Sequence, residues 1–208
     1  MAKIFESNAE EKKRQENTKW LTIQARDYQE VFDLPKREWC GKKILDVGAN
    51  DRRLAAACAI TGINAEVYSL DPAYDRQQEE YADESMLRGV VELLPQEIQD
   101  TINKRTVSTT GEETGFADDM FDWVIARSVN YETIDQLVAR IRELLRVGKE
   151  VRFYPIDDEN RPQYEEALAL VKSEMPLHIE EKLTLDCHLR TESGMRHVKE
   201  SVLIMHKR

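Results

Sequence analysis

Lys43-Ile44-Leu45-Asp46-Val47-Gly48 reads as a short buried strand that breaks at a glycine. The apolar run is too short for a helix and is closed at once by a turn residue. An Ala-rich helix follows, from Arg52 to Ile60, and Gly62 stops it. Ala65-Glu66-Val67-Tyr68-Ser69-Leu70 then reads as a second strand, ending on Asp71-Pro72. Strand, helix and strand within about 30 residues make a βαβ unit, whose crossover is right-handed.

The pattern continues outward in both directions. Residues Asp75 to Lys104 have helical composition with a break near Pro95, which predicts two helices, or a helix plus a lid. The β-branched run Arg105 to Thr109 is the expected third strand, and Phe121-Asp122-Trp123-Val124-Ile125-Ala126 the fourth. Ile134, Leu137, Val138, Ile141, Leu144 and Leu145 stripe the next helix. Thr133 and Gln136 can box its start, and Gly148 ends it. Glu150 to Tyr154 is the fifth strand, terminated by Pro155, and a further helix begins near Pro162 with Tyr164, Ala167, Leu168 and Val171 facing inward.

The carboxyl end changes period. Ile179, Leu183, Leu185, Cys187 and Leu189 mark one alternating strand, Thr191 to Gly194 a turn, and Val198, Val202 and Ile204 another strand, together an antiparallel hairpin. Upstream, Ala9 to Lys19 is almost wholly polar, and Leu21, Ala25, Tyr28 and Phe32 then recur at helical spacing up to Pro35. The expectation is an α/β fold: a seven-stranded, mostly parallel sheet with helices on both faces and a carboxyl-terminal antiparallel hairpin. Residues 1–40 would form an amino-terminal helical extension or lid, and residues 41–208 the domain proper.

The 208 residues fit one such domain, and a 41% hydrophobic content is enough for a core. The net charge of −10 repels duplex DNA, whose binding would need a local basic patch. Only short basic clusters occur: Lys12 to Arg14, Arg52 with Arg53, and Arg140, Arg142 and Arg146, the last three read as a solvated helical face. Cys40, Cys58 and Cys187 form no Cys-x-x-Cys pair, which speaks against a zinc ribbon and for thiols in a reducing compartment. With no apolar run approaching ~18 residues and no signal-peptide pattern, a cytoplasmic protein without a membrane partner is expected.

Open parallel sheets bind ligands beyond the carboxyl ends of their strands, where the strand order switches. Those ends carry Gly48 to Asp51, Asp71, Gly111 to Glu113, Arg127 to Tyr131 and Pro155 to Asp158. Gly48 lets backbone approach a ligand closely. Asp71 offers two acceptor oxygens on a rigid strand end, a natural partner for the adjacent hydroxyls of a ribose.

These segments resemble the class I S-adenosylmethionine-dependent methyltransferases, from Gly41 to the carboxyl terminus. Ile44 to Asn50 is similar to the family's first motif, and Ser69-Leu70-Asp71 to its second. Thr110 to Phe116 with Phe121 to Ile125 resembles the adenine loop and fourth strand, and the terminal hairpin matches the sixth and seventh strands. The resemblance implies a Rossmann-like methyltransferase domain that takes S-adenosyl-L-methionine. It implies contacts to that cofactor from Asp46, Gly48, Ala49, Asn50, Asp71, Pro72, Glu112 and Arg127. The family's Gly-x-Gly-x-Gly is Gly48-Ala49-Asn50-Asp51-Arg52 here. Asn50 tolerates left-handed backbone, whereas Arg52 would turn to solvent or reach a carboxylate. At the usual adenine acid stands Gly111, with Glu112 and Glu113 next.

Methyl transfer from a sulfonium depends on alignment and exclusion of water, so no fixed catalytic triad is required. Tyr131 and Asp157 are the candidate bases, with Asp158 and Tyr154 nearby. Arg127-Ser128-Val129-Asn130 stands where nucleobase amino-methylases carry Asp-Pro-Pro-Tyr. Arg127 could meet an anionic acceptor or a neighbouring acid. His178, His188, His197 and His206 are expected as exposed strand residues, with no metal site. The function expected is methyl transfer to a small-molecule or protein acceptor. The alternative is a methyltransferase-like binding or scaffold protein without catalysis.

Overall fold

A computed structural model describes residues 15, 19, 21–23, 25–34, 36–74, 89–92, 94–191 and 194–207. Its elements are α1 (residues 25–31), β1 (Lys43–Val47), α2 (Arg53–Thr61), β2 (Glu66–Leu70), α3 (Gly89–Glu92), α4 (Gln96–Lys104), β3 (Thr106–Val107), β4 (Phe121–Arg127), α5 (Ile134–Val147), β5 (Gly148–Ile156), α6 (Arg161–Glu174), β6 (Leu177–Thr191) and β7 (Gly194–Lys207). They build one seven-stranded sheet in the order β3-β2-β1-β4-β5-β7-β6. Neighbours from β3 to β5 pair parallel, and β7 runs antiparallel to both β5 and β6. The strand order reverses at β1, which lies between β2 and β4.

Alternation along the strands supplies two apolar layers. Ile44, Val67, Trp123, Ile125, Val202 and Ile204 face α1, α2 and Ile102 of α4. Leu45, Val47, Leu70, Val124, Phe153 and Leu203 face the stripes of α5 and α6. Helices cover both faces, as the sequence predicts. Tyr28, Phe32 and Leu34 are buried in the first layer. α1 ends with Asp33 at φ 51°, where Leu34 N–H reaches Gln29 O at 2.9 Å and Asp33 N–H reaches Glu30 O at 3.2 Å, a Schellman closure. Arg152 of β5, itself buried, donates to the carbonyls of Phe32 and Asp33 and pairs with Glu150.

The structure corrects several boundaries. The third strand is two residues long, not Arg105 to Thr109, because only Thr106 and Val107 register with β2. β5 runs through Pro155 to Ile156; the proline falls in the irregular register between Phe153 and Ile156, where β7 requires no amide from it. Gly148 does end α5, but with extended angles (φ −117°, ψ 145°) rather than a left-handed cap. A Cβ there would lie 2.4 Å from Val124 Cγ2 and 3.2 Å from Leu144 O, so close packing demands the glycine. Thr133 caps α5 by accepting from Gln136 N–H at 3.2 Å, and Gln136 Oε1 accepts from Glu132 N–H at 2.8 Å. The break at Pro95 stands between α3 and α4, whereas residues 75–88 lie outside the described residues.

Of the arginines on α5, Arg142 and Arg146 keep the expected solvent exposure and Arg140 does not. Arg140 is buried and binds Glu112 and Asn130 O; Arg142 pairs with Glu174; Arg146 binds Glu143, Asp118 and Phe116 O. Each cation reaches a carboxylate on its own chain, and Arg140 lies too deep for solvent.

The hairpin outruns the sheet. β7 pairs with β5 only as far as Ser201, yet it stays paired with β6 up to Gly194. Cys40 is exposed and Cys58 buried, both as free thiols, and burial pushes the Cys58 thiol up to about 12. The side chains of Cys187, His188 and His197 lie outside the described residues. His178 is exposed and tilts against half-buried His206 at 6.0 Å. Among the described residues there is no group of three or more metal-ligating side chains, and no helix long and apolar enough to cross a membrane.

Candidate functional site

The site lies where β1 releases the chain at the strand-order switch. Gly48 (φ 71°), Asn50 (φ 43°) and Arg52 (φ 58°) all take left-handed angles, so the turn has the backbone suited to three alternate glycines, although two positions carry side chains. A non-glycine residue pays of order 1 kcal/mol for such angles, and it persists where surrounding contacts fix it. Those contacts are visible. Gly48 N–H and Ala49 N–H bond Leu70 O at 2.9 and 3.2 Å, and Asn50 N–H bonds Asp71 Oδ2 at 3.0 Å. The loop after β1 and the carboxylate tipping β2 therefore meet. A Cβ at Gly48 would come within 3.3 Å of Val129 Cγ2 and 3.4 Å of Arg127 O, which shows how narrowly this turn passes the end of β4.

Beneath the turn lies a group of buried polar side chains. Asp46 is 0% exposed, and neither carboxylate oxygen has a hydrogen-bond partner among the described residues. Its cross-strand neighbour Ser69 is buried with an equally unpartnered hydroxyl. Burial first, then the Asp51 charge, raise the Asp46 carboxyl to about 8, and Arg127 and Arg53 draw it down only in part. Asp51 is also buried and holds Arg53 through both oxygens at 2.8–3.0 Å, while Asp51 Oδ1 accepts Arg53 N–H at 3.2 Å at the start of α2. Arg127 ends β4 half-buried; its guanidinium stands 5.1 Å from the Tyr28 ring. Tyr28, on α1, is pushed above its usual phenol range by burial and then by Asp46.

Arg52 stays half-exposed and meets an amide rather than a carboxylate. It donates to the amide oxygen of Asn103 on α4 at 2.6 Å and lies 5.9 Å over the ring of Tyr74, in the 3-10 turn Pro72–Tyr74. The Tyr74 hydroxyl is buried with no partner among the described residues. Sequence reasoning missed Tyr74, because a tyrosine four places past a strand end carries no pattern of its own.

The remaining predicted residues divide by location. Asp46, Gly48, Ala49, Asn50, Asp71 and Arg127 lie at the turn after β1 and the neighbouring ends of β2 and β4, and Pro72 follows on the exposed turn. Glu112 is held by Arg140, and that pair fixes the loop carrying Gly111, whose Cβ position lies 3.1 Å from Arg140. Glu112 is thus a loop anchor. Tyr131 packs edge-on against Tyr164 at 5.8 Å; burial and then Asp157 raise its phenol. Asp157 Oδ1 accepts from Glu159 and Asn160 N–H at 2.9 and 3.0 Å, and so closes the turn into α6. Asp158 is exposed. The Tyr154 hydroxyl donates to Glu200 and is raised by burial, then by that carboxylate.

No protein-family model matches the sequence, and no curated protein matches it. Solved structures do resemble it. A protein described as an RNA methyltransferase, from Pyrococcus horikoshii, superposes with a TM-score of 0.52 at 14% identity, over 88% of this chain and 84% of that one. The 16S rRNA (adenine(1408)-N(1))-methyltransferase of Catenulisporales acidiphilia, solved with its cosubstrate SAM, gives 0.51 at 15% identity over 84% and 92%. A protein described as an O-methyltransferase, from Nostoc punctiforme, gives 0.51 at 13% identity over 91% of this chain and 56% of that one. Together with the 3-2-1-4-5-7-6 strand order and the turn closed on Asp71, these likenesses show one thing: the chain has the fold of the class I S-adenosylmethionine-dependent methyltransferases.

Proposed function

We propose that the protein binds S-adenosyl-L-methionine and transfers its methyl group to a small-molecule or protein acceptor. The observation that carries this reading is the orphaned carboxyl of Asp46 beneath a glycine-like turn that is closed on Asp71. A buried polar group without a partner is costly. Here a ligand ammonium would remove that cost by pairing with Asp46 as it ionises.

In this reading the bound cofactor supplies an electrophilic methyl group on a sulfonium. Asp46 receives the ammonium, and Arg127 is the cation for the carboxylate on the same α-carbon. Gly48 and Ala49 bring bare backbone to the ligand, and Asp71 accepts from the sugar hydroxyls. The candidate bases favour alignment over proton abstraction. The Tyr131 and Tyr154 phenols are raised, and Asp157 is occupied by turn amides. Holding the acceptor in line is then the main contribution of the chain.

Isothermal titration calorimetry with S-adenosylmethionine and S-adenosylhomocysteine tests the reading. Micromolar binding of both is expected. No heat at millimolar ligand overturns it and leaves the non-catalytic binding protein, which the engagement of Glu112 by Arg140 would favour.

A further inference from the structure

Arg52 and Tyr74 remain unexplained by the fold. Arg52 holds strained angles without capping α2 through its side chain. Its guanidinium instead joins three elements: the turn after β1, Asn103 of α4 and the ring of Tyr74. Tyr74 N–H bonds Asp71 O at 3.3 Å, so the ring follows directly from the strand tip that bears the candidate ribose acid. Its buried hydroxyl feels mainly acidic charges. Asp46 and Asp71 act most strongly on it after burial itself, with Asp51 weaker and Arg52 the opposing charge. Carboxylates at full charge can only accept hydrogen bonds. A nucleoside bound beside Asp71 would present sugar oxygens that also need a donor, and the Tyr74 O–H is a donor with no partner among the described residues.

We propose that Tyr74 contacts the nucleoside half of the ligand by donating its hydroxyl to a sugar oxygen beside Asp71, and that Arg52 is the positioning residue that pins the Tyr74 ring for this contact. The assignment rests on the nucleoside-binding reading above. It gives the departure from glycine at position 52 a purpose: the side chain leaves the ligand path and braces the residue that lines it.

The test is calorimetry with two ligands, S-adenosylhomocysteine and 5′-methylthioadenosine, which share the nucleoside but not the amino-acid unit. Wild type, Tyr74→Phe, Arg52→Gly and the double variant are compared. Tyr74→Phe is expected to weaken both ligands about three- to tenfold, the worth of one hydrogen bond, with Tm unchanged or higher because the lost hydroxyl bonds nothing in the unliganded fold. Arg52→Gly relieves the left-handed strain, yet it should weaken binding to a similar degree. The double variant should lose no more than the weaker-binding single variant, since the two side chains act as one unit.

Unchanged affinity in Tyr74→Phe overturns the proposal, as does a loss confined to S-adenosylhomocysteine. Tighter binding by Arg52→Gly would show the guanidinium to be an obstruction, and additive losses would show that it acts independently of Tyr74. If wild type binds neither ligand, the methyltransferase reading itself falls and takes this assignment with it.

Discussion

Asp46 costs the fold stability that a ligand would return. Its carboxyl is raised from 3.8 to about 8 by burial, with Asp51 adding to the shift. Between those values the folded protein holds a proton that the unfolded chain has released, so stability falls as pH climbs from about 4 to about 8 and levels off above. Asp46→Asn keeps the shape and removes the charge. It should raise unfolding free energy at pH 8 by about 2–5 kcal/mol and flatten this part of the pH profile, while S-adenosylhomocysteine binding is lost. Denaturant titrations at pH 5 and pH 8 read both effects, and equal stabilities for variant and wild type would refute the account. The sequence places Asp46, Gly48 and Asp71 correctly because strand ends are legible from apolar runs that stop at turn residues. It cannot show that Asn50 and Arg52 keep glycine-like angles, since those are imposed by bonds to Asp71 and Asn103, which come from other elements.

At the scale of elements, α5 works as a staple for the loop between β3 and β4. Arg140 holds Glu112, Glu143 accepts from the Thr114 amide and hydroxyl at 2.9 and 2.6 Å, and Arg146 bonds Phe116 O at 2.8 Å. Arg146 foremost, then Thr114, lowers the Glu143 carboxyl from 4.5 to about 2. A lowered folded value stabilises above pH 4.5 and is lost as pH falls towards 2. Glu143→Gln should therefore cost on the order of 1–3 kcal/mol at pH 7 and almost nothing near pH 2. Hydrogen exchange should find the amides of residues 111–116 faster in that variant at neutral pH; equal rates would remove the staple. Helical spacing announces that Arg140, Arg142 and Arg146 share a helix, but it does not report depth, and so a solvated face was the natural expectation. β3 was overestimated for a related reason: β-branched composition records strand tendency, whereas its length is set by how far β2 offers a partner.

For the whole molecule, a mostly parallel seven-stranded sheet with helices on both faces and a terminal hairpin was legible, because βαβ units and such a hairpin leave few topologies open. What was not legible is how the amino-terminal residues join the core. Phe32 and Leu34 are fully buried, and Arg152 crosses from β5 to the carbonyls that close α1. Deleting residues 1–34 would bare the first apolar layer and strip from Arg152 the two carbonyls it binds, leaving its pairing with Glu150. Burial of each large apolar side chain is worth roughly 1.5–3 kcal/mol, and Leu21, Tyr28, Phe32 and Leu34 would all be lost, so the shortened chain should lose its near-UV circular dichroism and cooperative melting. A cooperative transition in that chain would contradict this account.

The direct passage from Val147 to Gly148 leaves the molecule no slack at its centre. Adding a single amino acid at that seam would turn β5 over, sending Arg152 towards α6 and Phe153 towards α1, and every later strand would inherit the error. Length variation in descendants of this gene should therefore spare that junction, however freely the outer turns gain and lose residues.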